Sequence, residues 1–178
     1  EFRVLVTAEL PRGKVLCVGP GKVQKMLAPN LRLTRLKPDG IVIETSGLNL
    51  ILAGAAPRGT LYAVYTFLED VVGCRWWSSK ASTIPHKPDL TVPEQHVRYV
   101  PPLEYRETFW YDAFDGDWAV RNKSNANRAQ LDEARGGKIR YGGLFFVHTF
   151  NGLMPQREFA ATHPEYYSER NGQRLAAE

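Results

Sequence analysis

The sequence predicts an α/β (α+β) chain, a sheet with packed helices followed by the opening of a parallel β/α array, and three observations carry this. Two β-rich runs, Ile41-Val42-Ile43-Glu44-Thr45 and Leu48-Asn49-Leu50-Ile51-Leu52, flank Ser46-Gly47 as a hairpin. Residues Pro57 to Val72 read as the best helix in the chain, closed by Gly73. After residue 100 a candidate strand, a candidate helix and a second apolar strand succeed one another, the order in which a parallel β/α array starts.

The chain has 178 residues, 43% hydrophobic and 24% charged, a balance able to bury a core, for which disorder is not the default expectation. A domain takes about 100–150 residues, so the length fits one domain, 1–100, plus part of a second, 101–178. Position 1 is Glu, and the last residues follow a polar run, Ser168 to Arg174; the expectation is a piece of a longer protein. No apolar stretch approaches the roughly 18 residues of a membrane span.

The net charge of +4 raises the question of a nucleic-acid partner, but Lys and Arg read as scattered and mixed with 19 acidic residues, so a solvated surface is expected instead. Cys17 and Cys74 form no Cys-x-x-Cys pair and read as buried small hydrophobes. His86, His96, His148 and His163 include no i, i+4 pair, so no metal or cofactor is expected.

Taken in order, Phe2 to Thr7 alternates as a strand, and Lys14 to Val18 is a short apolar run suited to a buried one. Val23 to Leu27 reads as a short helix. The glycines before it do not make a phosphate loop, because Val23 stands where that motif needs a hydroxyl and the spacing is wrong. In the hairpin, Ile41, Ile43, Leu50 and Leu52 share the buried face.

In the helix from Pro57 to Val72, Tyr62, Thr66, Glu69 and Asp70 fall on one polar strip, and the apolar arc fills more than half the circumference. Such a helix is covered on two sides, by the sheet and by a neighbouring domain. Trp76 and Trp77 then read as packing residues at that seam. Prolines punctuate the chain to Pro93, with a short strand at Leu90 to Val92 and a linker at Val97 to Pro102. Beyond it, Leu103 to Glu107 is the candidate strand, Asp117 to Asn122 the helix and Leu144 to His148 the second strand, with a weaker helix at Phe159 to Tyr167 broken by Pro164.

The block Ala53-Gly54-Ala55-Ala56-Pro57-Arg58-Gly59-Thr60-Leu61-Tyr62-Ala63-Val64-Tyr65-Thr66-Phe67-Leu68-Glu69, closing with Gly73-Cys74-Arg75-Trp76-Trp77, resembles the N-terminal domain of alpha-glucuronidases and, more loosely, the second domain of beta-hexosaminidases. Pro101 to Arg106, Trp118 to Asn122, Val147 to Phe150 and His163 to Tyr167 look like uncharacterised glycoside-hydrolase-like proteins whose bodies resemble (β/α) barrels. The resemblance implies an accessory α/β domain abutting a truncated TIM-like barrel. It also implies an extracellular or periplasmic carbohydrate-active protein whose partner is an oligosaccharide or polysaccharide, one with acidic sugars included. The alternative is a non-catalytic carbohydrate-binding or scaffold module.

Glycoside hydrolysis uses two carboxyl groups, and in barrels these sit at C-terminal strand ends. Glu104, Glu107, Asp112, Asp115 and Asp117 are the acids near a first strand end, but the resemblance places the catalytic pair on later strands, beyond Glu178. It matches Arg106 to an arginine that binds sugar hydroxyls, with a structural salt bridge as the competing role. His148, at the end of the second strand, is a candidate hydrogen-bonding partner for sugar or carboxylate. Phe109, Trp110, Tyr111, Phe114 and Trp118 cluster after the first strand, and flat aromatic faces cover the apolar face of a sugar ring. Trp110 and Trp118 are the sugar-facing candidates, with Asn122 as a polar partner.

Overall fold

The computed structural model describes residues 4–140 and 149–175 and is mixed α and β, with small sheets and short helices. The chain divides into two compact units, the first running to Ile139 and the second from Arg140.

In the first unit, strands β1 (Leu16–Val18), β2 (Ile41–Ser46), β3 (Asn49–Gly54) and β6 (His96–Tyr99) form a sheet of order β1-β3-β2-β6. Strand β1 runs parallel to β3, and the other pairings are antiparallel. The hairpin forms one residue later than the sequence suggests, with Ser46 opposite Asn49 and Gly47-Leu48 as the turn. Gly47, at φ +59, takes the left-handed position that a tight hairpin demands at its first central residue. Because side chains alternate across a strand, Ile41, Ile43 and Leu52 point to one face, with Leu50 against them as expected, and Ile51 and Ala53 point to the other.

Helix α1 (Lys22–Leu27) and the 3₁₀ turn Leu33–Arg35 cover the second face, closing Val23, Leu27, Leu31 and Leu33 over Cys17, Ile51 and Ala53. Helix α2 (Gly59–Phe67) covers the first and continues as a π-helical turn over Leu68–Val72 to Gly73, which caps it in the left-handed conformation at φ +91. The start at Gly59 has no side-chain cap. Gly54 and Gly59 bring the end of β3 against the start of α2 so closely that a Cβ on Gly59 would lie 2.4 Å from the Gly40 carbonyl oxygen.

The far side of α2 is covered by residues of helix α3 (Gly116–Arg121) and of the segment after it. Ala119, Val120, Ala129 and Leu131 share one core with Tyr62, Ala63, Phe67 and the sheet. Burying side chains such as Tyr62 and Phe67 contributes about 1.5–3 kcal/mol each. Here the polar strip is corrected: Tyr62 is only 1% exposed. Its ring is an apolar body, and its hydroxyl donates to the Ser124 carbonyl at 3.1 Å, so the polar tip is satisfied inside the core.

Other expectations are revised. Residues 4–7 form no strand, and Val4 and Val6 are almost fully exposed, because no sheet edge pairs with them; Phe2 and Arg3 lie outside the described residues. Leu90 to Val92 forms no strand, whereas β6 occupies part of the expected linker. Leu103 to Glu107 also forms no strand. Side chains hold its backbone instead: Asn125 receives the Arg106 N–H at 2.9 Å and donates to the Glu104 carbonyl at 2.7 Å, and the Ser124 hydroxyl donates to the Arg106 carbonyl at 2.9 Å. The strand expected at Leu144 to His148 lies outside the described residues.

Strands β4 (Arg75–Trp76) and β5 (Ser82–Thr83) make a small ladder after α2. The second unit contains helices α4 (Phe150–Leu153) and α5 (Gln156–Phe159), a 3₁₀ turn at Pro164–Tyr166 and a hairpin of β7 (Glu169–Arg170) and β8 (Gln173–Arg174). It is organised on buried Tyr167, which meets Phe150 edge-on at 5.8 Å and donates to the Met154 carbonyl at 3.2 Å. The helix expected over Phe159 to Tyr167 is absent: α5 ends where it should begin, and Pro164 opens the 3₁₀ turn because its ring fits a first helical position, not an interior one.

Candidate functional site

Two constellations in the first unit draw on the residues singled out in the sequence. The first is a buried polar tie. Asp39, in the Pro38-Asp39-Gly40 turn, is 2% exposed. It accepts from Arg58 Nε at 2.8 Å and from Arg106 Nη2 at 2.7 Å, and Asn125 Nδ2 donates to it at 2.9 Å. Arg106 spends its other donors on the carbonyls of Lys123 at 2.9 Å and Leu103 at 2.8 Å, and lies over the Tyr62 ring at 5.6 Å. Of the two roles considered for Arg106, the geometry describes the salt bridge. Burial first, and then the negative charge of Asp39, push the Tyr62 hydroxyl up to about 12.

Asp39, Arg58 and Asn125 were not singled out in the sequence. A Pro-Asp-Gly triplet signals only a turn, and nothing local shows that the turn is buried.

The second constellation is aromatic. Asp115 caps α3 by accepting the Trp118 N–H at 2.8 Å, which fixes where Trp118 projects. The Trp118 indole N–H donates to the Trp76 carbonyl at 3.1 Å, and Trp110 meets the Trp118 ring edge-on at 5.3 Å. Trp76 in turn packs edge-on against Tyr65 of α2 at 5.5 Å. Trp118 is therefore a support, and Trp110, 45% exposed, stays half open to solvent beside the more exposed Phe109 and Tyr111. Trp77 does not pack at a seam: it is 62% exposed, with its N–H donating to Thr83 Oγ1.

Asn122 ends α3 against the same group, its Nδ2 donating to the Trp118 carbonyl at 3.0 Å. No described residue donates to its Oδ1. Trp110, Trp118 and Asn122 thus come together, while Arg106 belongs to the buried tie and His148 lies outside the described residues.

Four of the five nearby acids, all but Glu104, have structural partners. Glu107 accepts from the Tyr105 hydroxyl at 2.6 Å and the Arg128 N–H at 3.0 Å, and Asp117 pairs with Arg135 at 2.7 Å. Asp112 accepts the Ser79 hydroxyl and its N–H, and these bonds hold its carboxyl below the usual range. Among the described residues, no cluster of three or more His, Cys, Asp or Glu side chains has the geometry to hold a metal ion. No helix of the described residues is long and apolar enough to cross a membrane.

Residues 76–178, more than half of the chain, match the family model of a domain of unknown function, DUF4838. The chain belongs to the DUF4838 family. No curated protein and no solved structure matches it. The DUF4838 match begins at Trp76, within β4, and so takes in Trp110, Trp118 and Asn122 along with Arg106 and Asn125. Asp39, Arg58 and Tyr62, on which Arg106 is seated, precede it.

Proposed function

We propose that this DUF4838 chain is the carbohydrate-contacting part of a glycoside-hydrolase-like protein that acts outside the cytoplasm, its catalytic carboxylates supplied by a (β/α) barrel and not by the acids described above. The observation that carries the reading is the Trp110 ring, propped edge-on by Trp118 and half exposed beside Phe109 and Tyr111, with the Asn122 Oδ1 acceptor one turn along. A flat apolar face with a nearby acceptor suits a sugar ring, whose C–H face is apolar and whose rim is all hydroxyls. The engagement of Glu107, Asp112, Asp115 and Asp117 in structural bonds supports binding, rather than cleavage, as the task of these residues.

The test is binding of a panel of neutral and uronic-acid-bearing oligosaccharides by the chain and by its Trp110→Ala variant. The reading expects binding that Trp110→Ala weakens at least about tenfold, equivalent to about 1.4 kcal/mol, with unchanged thermal stability. Binding indifferent to Trp110→Ala removes the aromatic surface from the site, and hydrolysis by this chain alone contradicts the assignment of the catalytic acids to the barrel.

A further inference from the structure

Between Glu9 and Asp39 the chain carries seven cations, Arg12, Lys14, Lys22, Lys25, Arg32, Arg35 and Lys37, and no acid. Setting these seven aside leaves sixteen of the 23 Lys and Arg against 19 acids, so the whole net charge of +4 originates in this one segment. Charge that looks mixed over the full chain is therefore segregated along it.

The fold converts that segregation into a surface. The segment supplies the edge strand β1 and, in α1 and the 3₁₀ turn, the layer that covers the sheet face opposite α2, with the apolar side chains Val15, Val23, Leu27, Leu31 and Leu33 turned inward. All seven cations are exposed, and among the described residues none has an ion-pair partner. Lys22 and Lys25, three apart on α1, lie on one helix face. Lys25 also lines an open cleft of about 570 Å³ together with Arg32. Unpaired cations on one helix face or lining one cleft repel one another, and a multivalent anion relieves that repulsion.

We propose that this layer is a docking surface for an anionic polysaccharide, carboxylated or sulfated, separate from the aromatic surface. The segment from Leu10 to Pro38 contains no Phe, Tyr or Trp. It therefore offers no platform on which unstacked bases could lie, and recognition is by charge. The choice of a polysaccharide among polyanions rests on the carbohydrate reading above.

The experiment titrates the chain with dextran sulfate, polygalacturonate, neutral dextran and duplex DNA at about 50 mM and about 500 mM salt, across which screening tightens severalfold. Both anionic polysaccharides should bind at low salt and weaken at high salt, whereas any binding of neutral dextran should not depend on salt. The variant Lys25→Glu/Arg32→Glu should weaken binding about tenfold, while Lys87→Glu/Arg98→Glu, with the same change in net charge at exposed positions elsewhere, should leave it unchanged. Equal weakening by both pairs reduces the effect to net charge and overturns the proposal. So does absence of polysaccharide binding at low salt, and tighter binding of the duplex assigns the surface to nucleic acid instead. Neutral-oligosaccharide binding lost in Trp110→Ala and kept in Lys25→Glu/Arg32→Glu reads the aromatic surface separately, so either site can fail alone.

Discussion

Asp39 and Arg106 are 67 residues apart in sequence and meet at 2.7 Å, with the carboxylate side chain only 3% exposed. The pair joins the turn before β2 to the irregular segment after β6, and Arg58 and Asn125 complete the shell of the carboxylate. One carboxylate here faces two guanidiniums, so the group carries a net positive charge, and removing the carboxylate strands buried cations, which is the costly change for such a tie.

Asp39→Asn keeps the shape and removes the charge, leaving Arg58 and Arg106 uncompensated. The expected loss is about 3–5 kcal/mol, read as a lowered midpoint in denaturant unfolding at constant slope. A midpoint within error of the native chain would show that the tie contributes nothing to stability.

Tyr62 gives an alkaline limit. Its hydroxyl is raised in the folded chain to about 12 from an unfolded value near 10. A raised folded value contributes stability that is complete below about pH 10 and is lost as pH rises toward 12. Tyr62→Phe removes that dependence, and also the hydrogen bond to the Ser124 carbonyl, at a cost of about 1–2 kcal/mol at neutral pH. Unfolding monitored between pH 9 and 12 should be steeper in the native chain than in the variant.

Gly59→Ala sets propensity against packing. In a helix interior Ala is favoured over Gly by about 1 kcal/mol, but here the new Cβ would meet the backbone of Gly40 and Gly54. Overpacking costs about 1–3 kcal/mol, so a lower melting temperature is expected. A rise would show that β3 and α2 separate easily.

Ending the chain after Val100 removes Ala119, Val120, Ala129 and Leu131 from the core that they share with Tyr62 and Phe67. The shortened chain should bind an apolar dye and self-associate, since an exposed face of this kind seeks cover. Monomeric behaviour in sedimentation without dye binding would contradict the shared core.

Local pattern was enough for the hairpin faces, the Gly73 cap and the short helix at α3, because each depends on neighbours within a few residues. It failed at Tyr62, where counting a phenol as polar hid a ring that the core needs, and at Leu103 to Glu107, where a distant asparagine replaces a strand partner. The aromatic cluster was legible as a cluster, but the division of labour between Trp118 and Trp110 depends on where the Trp76 carbonyl lies.

The sequence by itself determined the α+β class, the amphipathic elements and the concentration of positive charge before Asp39, since periodicity and composition are properties of contiguous residues. Only the tertiary structure decided that Arg106 closes on Asp39, that Trp110 stays half exposed and that Lys25 and Arg32 line one cleft. Those outcomes depend on which distant groups meet, and burial converts such meetings into energies that no local pattern records.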